Sequence, residues 1–158
     1  MNRIEIAQIG ADDWDEFREV RLASLHDSPT AFGSLYADWV DVPEERWRAR
    51  LTGVPLTLVA RADGRPVGVV SGSPEGEDEV ELISMWVAPD ARGTGLARTL
   101  IDAVVVWASA QGRRTVLMVR SENDRARAAY ARAGFVDTGV PDDHPADEPP
   151  EHRMVHGG

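Results

Sequence analysis

Val87-Ala88-Pro89-Asp90-Ala91-Arg92-Gly93-Thr94-Gly95-Leu96-Ala97 is the stretch on which the reading of this chain turns. An apolar strand ends in Ala-Pro, crosses a turn of arginine and glycine, and runs directly into a helix. The first N–H groups of a helix lack intrahelical partners and stand at the positive end of its dipole. Glycine lets an anion approach them closely, so the stretch predicts a pyrophosphate cradle. Alone, it does not separate coenzyme A from a nucleotide, because Gly93 and Gly95 also fit a reduced dinucleotide fingerprint. No first βαβ unit with an acidic residue at the required distance accompanies it. A P-loop is excluded, since no Gly-Lys-Ser/Thr is present.

The bulk numbers bound the class. A chain of 158 residues, 42% hydrophobic and 28% charged, predicts one soluble domain over 1–158 with a single core. No apolar run is long enough to span a bilayer and no secretory leader is visible, so a cytoplasmic location is expected. The absence of cysteine removes disulfides, thiolate metal sites and a cysteine nucleophile. A net charge of -10 argues against nucleic acid or an anionic membrane as partner and leans towards a cationic small molecule. Solubility alone also accounts for that charge. All 17 basic residues are arginine, which excludes lysine catalysis.

Around the turn, periodicity predicts the elements. Ile4 and Ile6 alternate in a first strand, Arg3 to Ile9. Asp12 is expected to cap a helix with Trp14, Phe17, Arg21 and Leu25 at helical spacing, broken at Ser28-Pro29. Helical stretches follow over Ala31 to Trp39 and, opened by Pro43, over Glu44 to Leu51. Leu56 to Ala62 and Pro66 to Ser73 form a hairpin through Asp63-Gly64. Pro74 to Asp78 is a loop, and Glu79 to Val87 a long strand. Helix Leu96 to Gln111, strand Thr115 to Val119, helix Asn123 to Ala133 and strand Phe135 to Thr138 complete the main order. The acidic, proline-rich 141–150 segment reads as a mobile loop, with Arg153 to Val155 returning as an edge strand. The fold class is α/β (α+β): a mixed, mostly antiparallel sheet of six to seven strands flanked by four to five helices.

The neighbours of the turn narrow its ligand. Arg92-Gly93-Thr94-Gly95-Leu96-Ala97 resembles the acyl-CoA signature Arg/Gln-x-x-Gly-x-Gly/Ala of the GNAT superfamily of N-acetyltransferases. Leu82 to Pro89 is similar to that family's fourth strand. Asn123 to Tyr130, then Gly134-Phe135, resembles its second signature, Asn-x-x-Ala-x-x-x-Tyr-x-x-x-Gly-Phe. Arg21 to Leu25 and Pro29 to Gly33 are similar to the first helices of many bacterial members. The similarity covers nearly the whole chain.

The resemblance implies acetyl-CoA as co-substrate, direct transfer to a primary amine in a ternary complex, and no metal. Backbone N–H groups of Gly93, Thr94, Gly95, Leu96, Ala97 and Arg98 would hold the pyrophosphate, with charge added by the Arg92 side chain. A β-bulge would splay the Met85-Trp86-Val87 strand from its neighbour. Main-chain groups of Met85 and Val87 would then pair with the pantetheine arm, and one N–H would stabilise the oxyanion. Asn123 would contact pantetheine, and Tyr130 would protonate the departing thiolate. Tyr130 lies seven residues after Asn123, two helical turns, so both share a face.

For the general base two readings stay open. Glu81 stands six residues before Val87, where histone-type members carry their glutamate, and it adjoins an apolar run that could raise its pKa. With Glu75, Glu77, Asp78 and Glu79 nearby, it also reads as a solvated loop-end charge. Other members use a glutamate five residues before the asparagine; here that position is Met118. His26, His144, His152 and His156 show no metal-ligand spacing, and His26 reads as a helix C-terminal cation. Trp39, Trp47 and Trp86 read as packing, with Trp47 a candidate wall of the acceptor site. The alternative function is a non-catalytic acyl-CoA-binding sensor, disfavoured because a binder needs no acid near the sulfur. Family members are often dimers, which carries over as an expectation.

Overall fold

The computed structural model describes residues 3–28 and 35–157. Seven strands form one sheet: β1 (Ile4–Gln8), β2 (Leu56–Ala62), β3 (Arg65–Glu75), β4 (Glu79–Val87), β5 (Arg114–Arg120), β6 (Phe135–Asp137) and β7 (Glu151–His156). The helices are α1 (Trp14–Asp27), α2 (Tyr36–Trp39), α3 (Glu44–Gly53), α4 (Leu96–Ser109) and α5 (Asp124–Arg132). The sheet order is β1-β2-β3-β4-β5-β7-β6. Neighbours are antiparallel except β4 and β5, which are parallel. The crossover between them carries α4, as parallel strands require. This is the mixed, mostly antiparallel architecture expected.

Alternation along β3 explains how both faces are covered. Val67, Val69 and Ser71 point to one face and Gly68, Val70 and Gly72 to the other. Phe17, Val20 and Leu25 of α1 and Trp47 and Leu51 of α3 are buried. Trp47 and Phe17 meet edge to face at 5.9 Å. Leu100, Ile101, Val104 and Ala108 of α4 are buried as well, against β3, β4 and β5. The two strand glycines let α4 sit close. A Cβ on Gly72 would lie 3.2 Å from Val80 Cγ1 and 3.4 Å from Val104 Cγ1. Both valines are fully buried, so nothing can yield. Gly72→Val is therefore expected to cost about 1–3 kcal/mol by overpacking, read as a lower urea midpoint.

Several boundaries differ from expectation for local reasons. Asp12 does not cap α1. A 3-10 turn over Ala11–Asp13 precedes the helix, Asp13 accepts from the Gly10 N–H, and Asp12 pairs with Arg48 at 3.2 Å. Of the helix expected over Ala31 to Trp39, Tyr36–Trp39 is helical, and 31–34 lies outside the described residues. β3 extends through Pro74 to Glu75, so the loop shrinks to 76–78. Residues 141–150 contain no helix or strand, as expected of a loop. The C-terminal strand is longer than expected and is not an edge. β7 pairs with β5 on one side and β6 on the other, leaving β6 outermost. Met154 at the centre of β7 is 1% exposed, and two-sided pairing is a tertiary fact that hydropathy does not encode.

Candidate active site

Between β4 and β5 the sheet opens. The two strands pair only at Glu79–Arg114, Val80–Thr115 and Glu81–Val116. One cause lies inside β4. Ser71 faces Ile83 whereas Val69 faces Trp86, so β4 carries one extra residue there, and Ser84 sits at φ +58°. A non-glycine residue at positive φ is strained, and such a bulge turns the strand away from its neighbour. The Ala88 N–H donates to the Val67 carbonyl, so by alternation Trp86 faces β3 and the main-chain groups of Met85 and Val87 face the open edge.

A cavity of about 400 Å³ fills the opening. Glu81, Met85, Asn123 and Tyr130 all line it, which brings four of the sequence-predicted site residues together. Asn123 also caps α5, its Oδ1 accepting from the Ala126 N–H at 3.2 Å. Tyr130 packs edge to face on Phe135 at 5.8 Å. Burial pushes its phenol well above the ordinary value, so it keeps its proton at neutral pH. Glu81 is also raised from the usual carboxylate range, first by burial and then by the nearby charges of Glu75 and Glu151. Arg153 opposes this only partly. A part-buried carboxylate held towards neutrality is suited to accept a proton.

The phosphate turn stands at the other end of β4. Gly93 and Gly95 adopt φ +79° and +86°, and a Cβ at either would meet nothing within 4 Å. The space above the turn is thus open. The Thr94 hydroxyl donates to the Ala91 carbonyl at 2.6 Å and braces the turn. Gly95 is the N-cap of α4, so the amides of Leu96, Ala97 and Arg98 form its first turn.

Two predicted contributors face elsewhere. The Arg92 guanidinium donates to the Val87 carbonyl at 3.0 Å and to Asp27 at 2.7 Å. It ties the turn to α1, and its charge is matched by Asp27 rather than offered to the turn. The Val87 carbonyl is thereby occupied. Trp86 is not at the open edge either: its main chain pairs with Val69 and its indole donates to Asp27 at 2.9 Å. Three hydrogen bonds hold Asp27 below the usual carboxylate range, that from Trp86 foremost. The Arg98 side chain runs to Asp102 and the Arg132 carbonyl, clamping α4 to the end of α5.

The cavity also contains residues that sequence reasoning did not assign to it. Arg21 and Arg50 line it, with Ser84, Glu151, Phe17, Trp39 and Trp47. Arg50 Nη2 donates to Ser84 Oγ at 3.1 Å and its guanidinium lies 5.3 Å from the Phe17 ring centre. Arg21 is only 8% exposed, and burial together with the Arg50 charge pushes it down to about 10. The signal was present: Arg21 falls on the apolar stripe of α1, four residues after Phe17. The acidic surface had suggested a cationic acceptor, yet the helix side of the cavity is cationic.

The sheet order, the splayed parallel pair and the glycine turn define the acetyltransferase fold class. Residues 12–135 match the acetyltransferase (GNAT) family, and the chain belongs to that family. An uncharacterized N-acetyltransferase of Mycobacterium tuberculosis is 38% identical over 79 residues, 49% of this chain and 51% of its own length. A mycothiol acetyltransferase of Propionibacterium freudenreichii is 31% identical over 138 residues, 78% of this chain and 40% of that protein. The chain thus spans about half the length, or less, of these relatives. Among solved structures, a GNAT-family acetyltransferase from Streptococcus pneumoniae superposes with a TM-score of 0.78 at 23% identity, covering 98% of this chain and 100% of that one. The PaiA N-acetyltransferase from Thermoplasma acidophilum, solved in complex with coenzyme A, superposes with a TM-score of 0.75 at 18% identity, covering 98% of each. Both likenesses show the fold. No helix among the described residues is long and apolar enough to cross a membrane.

Proposed function

We propose that this chain transfers an acetyl group from acetyl-CoA to a primary amine by direct attack within a ternary complex. The observation that carries the reading is the bulge at Ser84. It turns the Met85 main chain and the Val87 N–H towards the open edge of β4, where Met85 and Tyr130 line one cavity. The N–H groups from Gly93 to Arg98 hold the pyrophosphate at the start of α4. The Met85 main chain and the Val87 N–H pair with the pantetheine arm as an added strand would, and a β4 N–H donates to the thioester oxygen. Asn123 faces the arm from α5. Tyr130 donates its hydroxyl proton in a hydrogen bond to the sulfur as the thiolate leaves. Glu81 takes up the proton of the attacking amine, directly or through one water. Arg92 acts as a brace: it holds the turn against Asp27 and keeps β4 in place.

The test is a thiol-release assay over a panel of amines with acetyl-CoA, paired with calorimetric measurement of coenzyme A binding. Binding with amine-dependent thiol release supports the transferase. Binding without release from any amine would support the acyl-CoA-binding module instead. The turn has its own test. Gly95→Val places a β-branched residue at φ +86°, where an L residue pays roughly 1–2 kcal/mol, and projects methyls into the cradle. The coenzyme A Kd is expected to rise roughly tenfold or more. An unchanged Kd would remove this turn from the phosphate site.

A further inference from the structure

The acceptor half of the cavity is charged in an ordered way. Arg21 and Arg50 stand on its α1 and α3 side, whereas Glu81 and Glu151 stand on its strand side. Arg50 is part-buried and accounts for two of its bonds with hydroxyls, Ser84 at 3.1 Å and Ser71 at 3.4 Å. Its Nη1 is buried without a hydrogen-bond partner, and no carboxylate among the described residues pairs with it. The stretch 29–34, Pro-Thr-Ala-Phe-Gly-Ser, contains no acidic residue that could do so. A guanidinium withdrawn from water without a counter-anion is costly, and the cost rises beside a second buried cation. Arg61, Arg92 and Arg98 do have carboxylate partners, in Glu16, Asp27 and Asp102.

We propose that Arg50 receives the carboxylate of the acceptor, so that the amine substrate is a small amino acid. This rests on the acetyl-transfer reading of the cleft and names its substrate class. The polarity fits one molecule carrying both charges: its carboxylate lies at the arginine pole and its ammonium enters from the glutamate pole, where Glu81 takes the proton. Guanidinium and carboxylate match in shape and form paired, charge-assisted bonds. The volume sets the size. The cavity of about 400 Å³ is shared with the thioester end of the donor, since Asn123, Tyr130 and Met85 line it too. What remains holds an amino acid rather than a folded protein surface. Phe17, Trp39 and Trp47 supply apolar walls for its side chain. A phosphate dianion is a poorer guest, because Glu81 and Glu151 share the space.

The test compares matched pairs. Each proteinogenic amino acid and its C-terminal amide are assayed by thiol release with saturating acetyl-CoA, and coenzyme A binding is followed separately by calorimetry. At least one free amino acid is expected to exceed its amide in kcat/KM by roughly 10- to 100-fold, mostly through KM. Arg50→Gln is expected to abolish that preference while coenzyme A binding stays intact, and Arg50→Lys to restore part of it. Amides acetylated as well as acids would overturn the proposal. So would an Arg50→Gln variant that lowers acid and amide equally, since Arg50 would then serve only to hold Ser84. Intact coenzyme A binding with no turnover of any free amino acid overturns the substrate class alone. Lost coenzyme A binding in the wild type overturns the acetyl-transfer reading beneath it.

Discussion

Tyr130→Phe is expected to lower kcat on the order of 10²- to 10³-fold while coenzyme A affinity is unchanged. The ring does packing work that phenylalanine keeps, since its contact with Phe135 at 5.8 Å is edge to face and needs no hydroxyl. Tyr130 lines the cavity, and burial keeps its hydroxyl protonated throughout the working pH range. Removing it deletes one hydrogen bond that matters only while negative charge develops on sulfur. The loss should therefore fall on kcat rather than on KM for the donor. An acyl donor with a more acidic thiol needs less help and should narrow the gap. Equal turnover by the two proteins would mean that sulfur leaves without Tyr130.

Glu81→Gln carries the second large effect, a loss on the order of 10²-fold in kcat/KM. The deficit should be greatest below the pKa of the acceptor amine, where a base is needed, and should shrink as pH rises and the amine loses its proton to solvent. Stability should move the other way. The Glu81 carboxyl is raised in the fold, so the folded chain binds that proton more tightly than the unfolded chain does. Its favourable contribution is complete below the unfolded value and is lost as pH rises through the folded one. A permanently neutral glutamine escapes that loss. Glu81→Gln should thus be more stable than wild type at neutral pH, and the difference should vanish in acid. Parallel pH–rate profiles for the two proteins would assign the proton to another path.

How far the site was legible depended on the kind of information each residue carries. The placements of Gly93, Gly95, Asn123 and Tyr130 were readable because local geometry fixes them: a turn, a cap, and one helix face. Glu81 was ambiguous because its neighbours in sequence are carboxylates, whereas its neighbours in space include an apolar cavity wall. Arg92 was misdirected for the same reason. Beside a phosphate turn its charge looks available, yet Asp27, 65 positions away, takes it up. Arg50 was overlooked because α3 carries several arginines and nothing local distinguishes the one that turns inward.

The glycine turn between β4 and α4 was sufficient, with Asn123 and Tyr130, to point to the family from sequence alone. Those features stand at fixed spacings along the chain, and short-range geometry obeys spacing. The tertiary structure decided what spacing cannot reach: the β7 strand lying inside the sheet, the partner that occupies Arg92, and the charge of the acceptor cavity. Each of these is set by residues far apart in sequence that meet only when the sheet closes and α1 and α3 cover its face. The net charge of the chain pointed to a cationic acceptor because it counts every residue equally. The cavity counts only those that fold into it, and there two arginines face two glutamates.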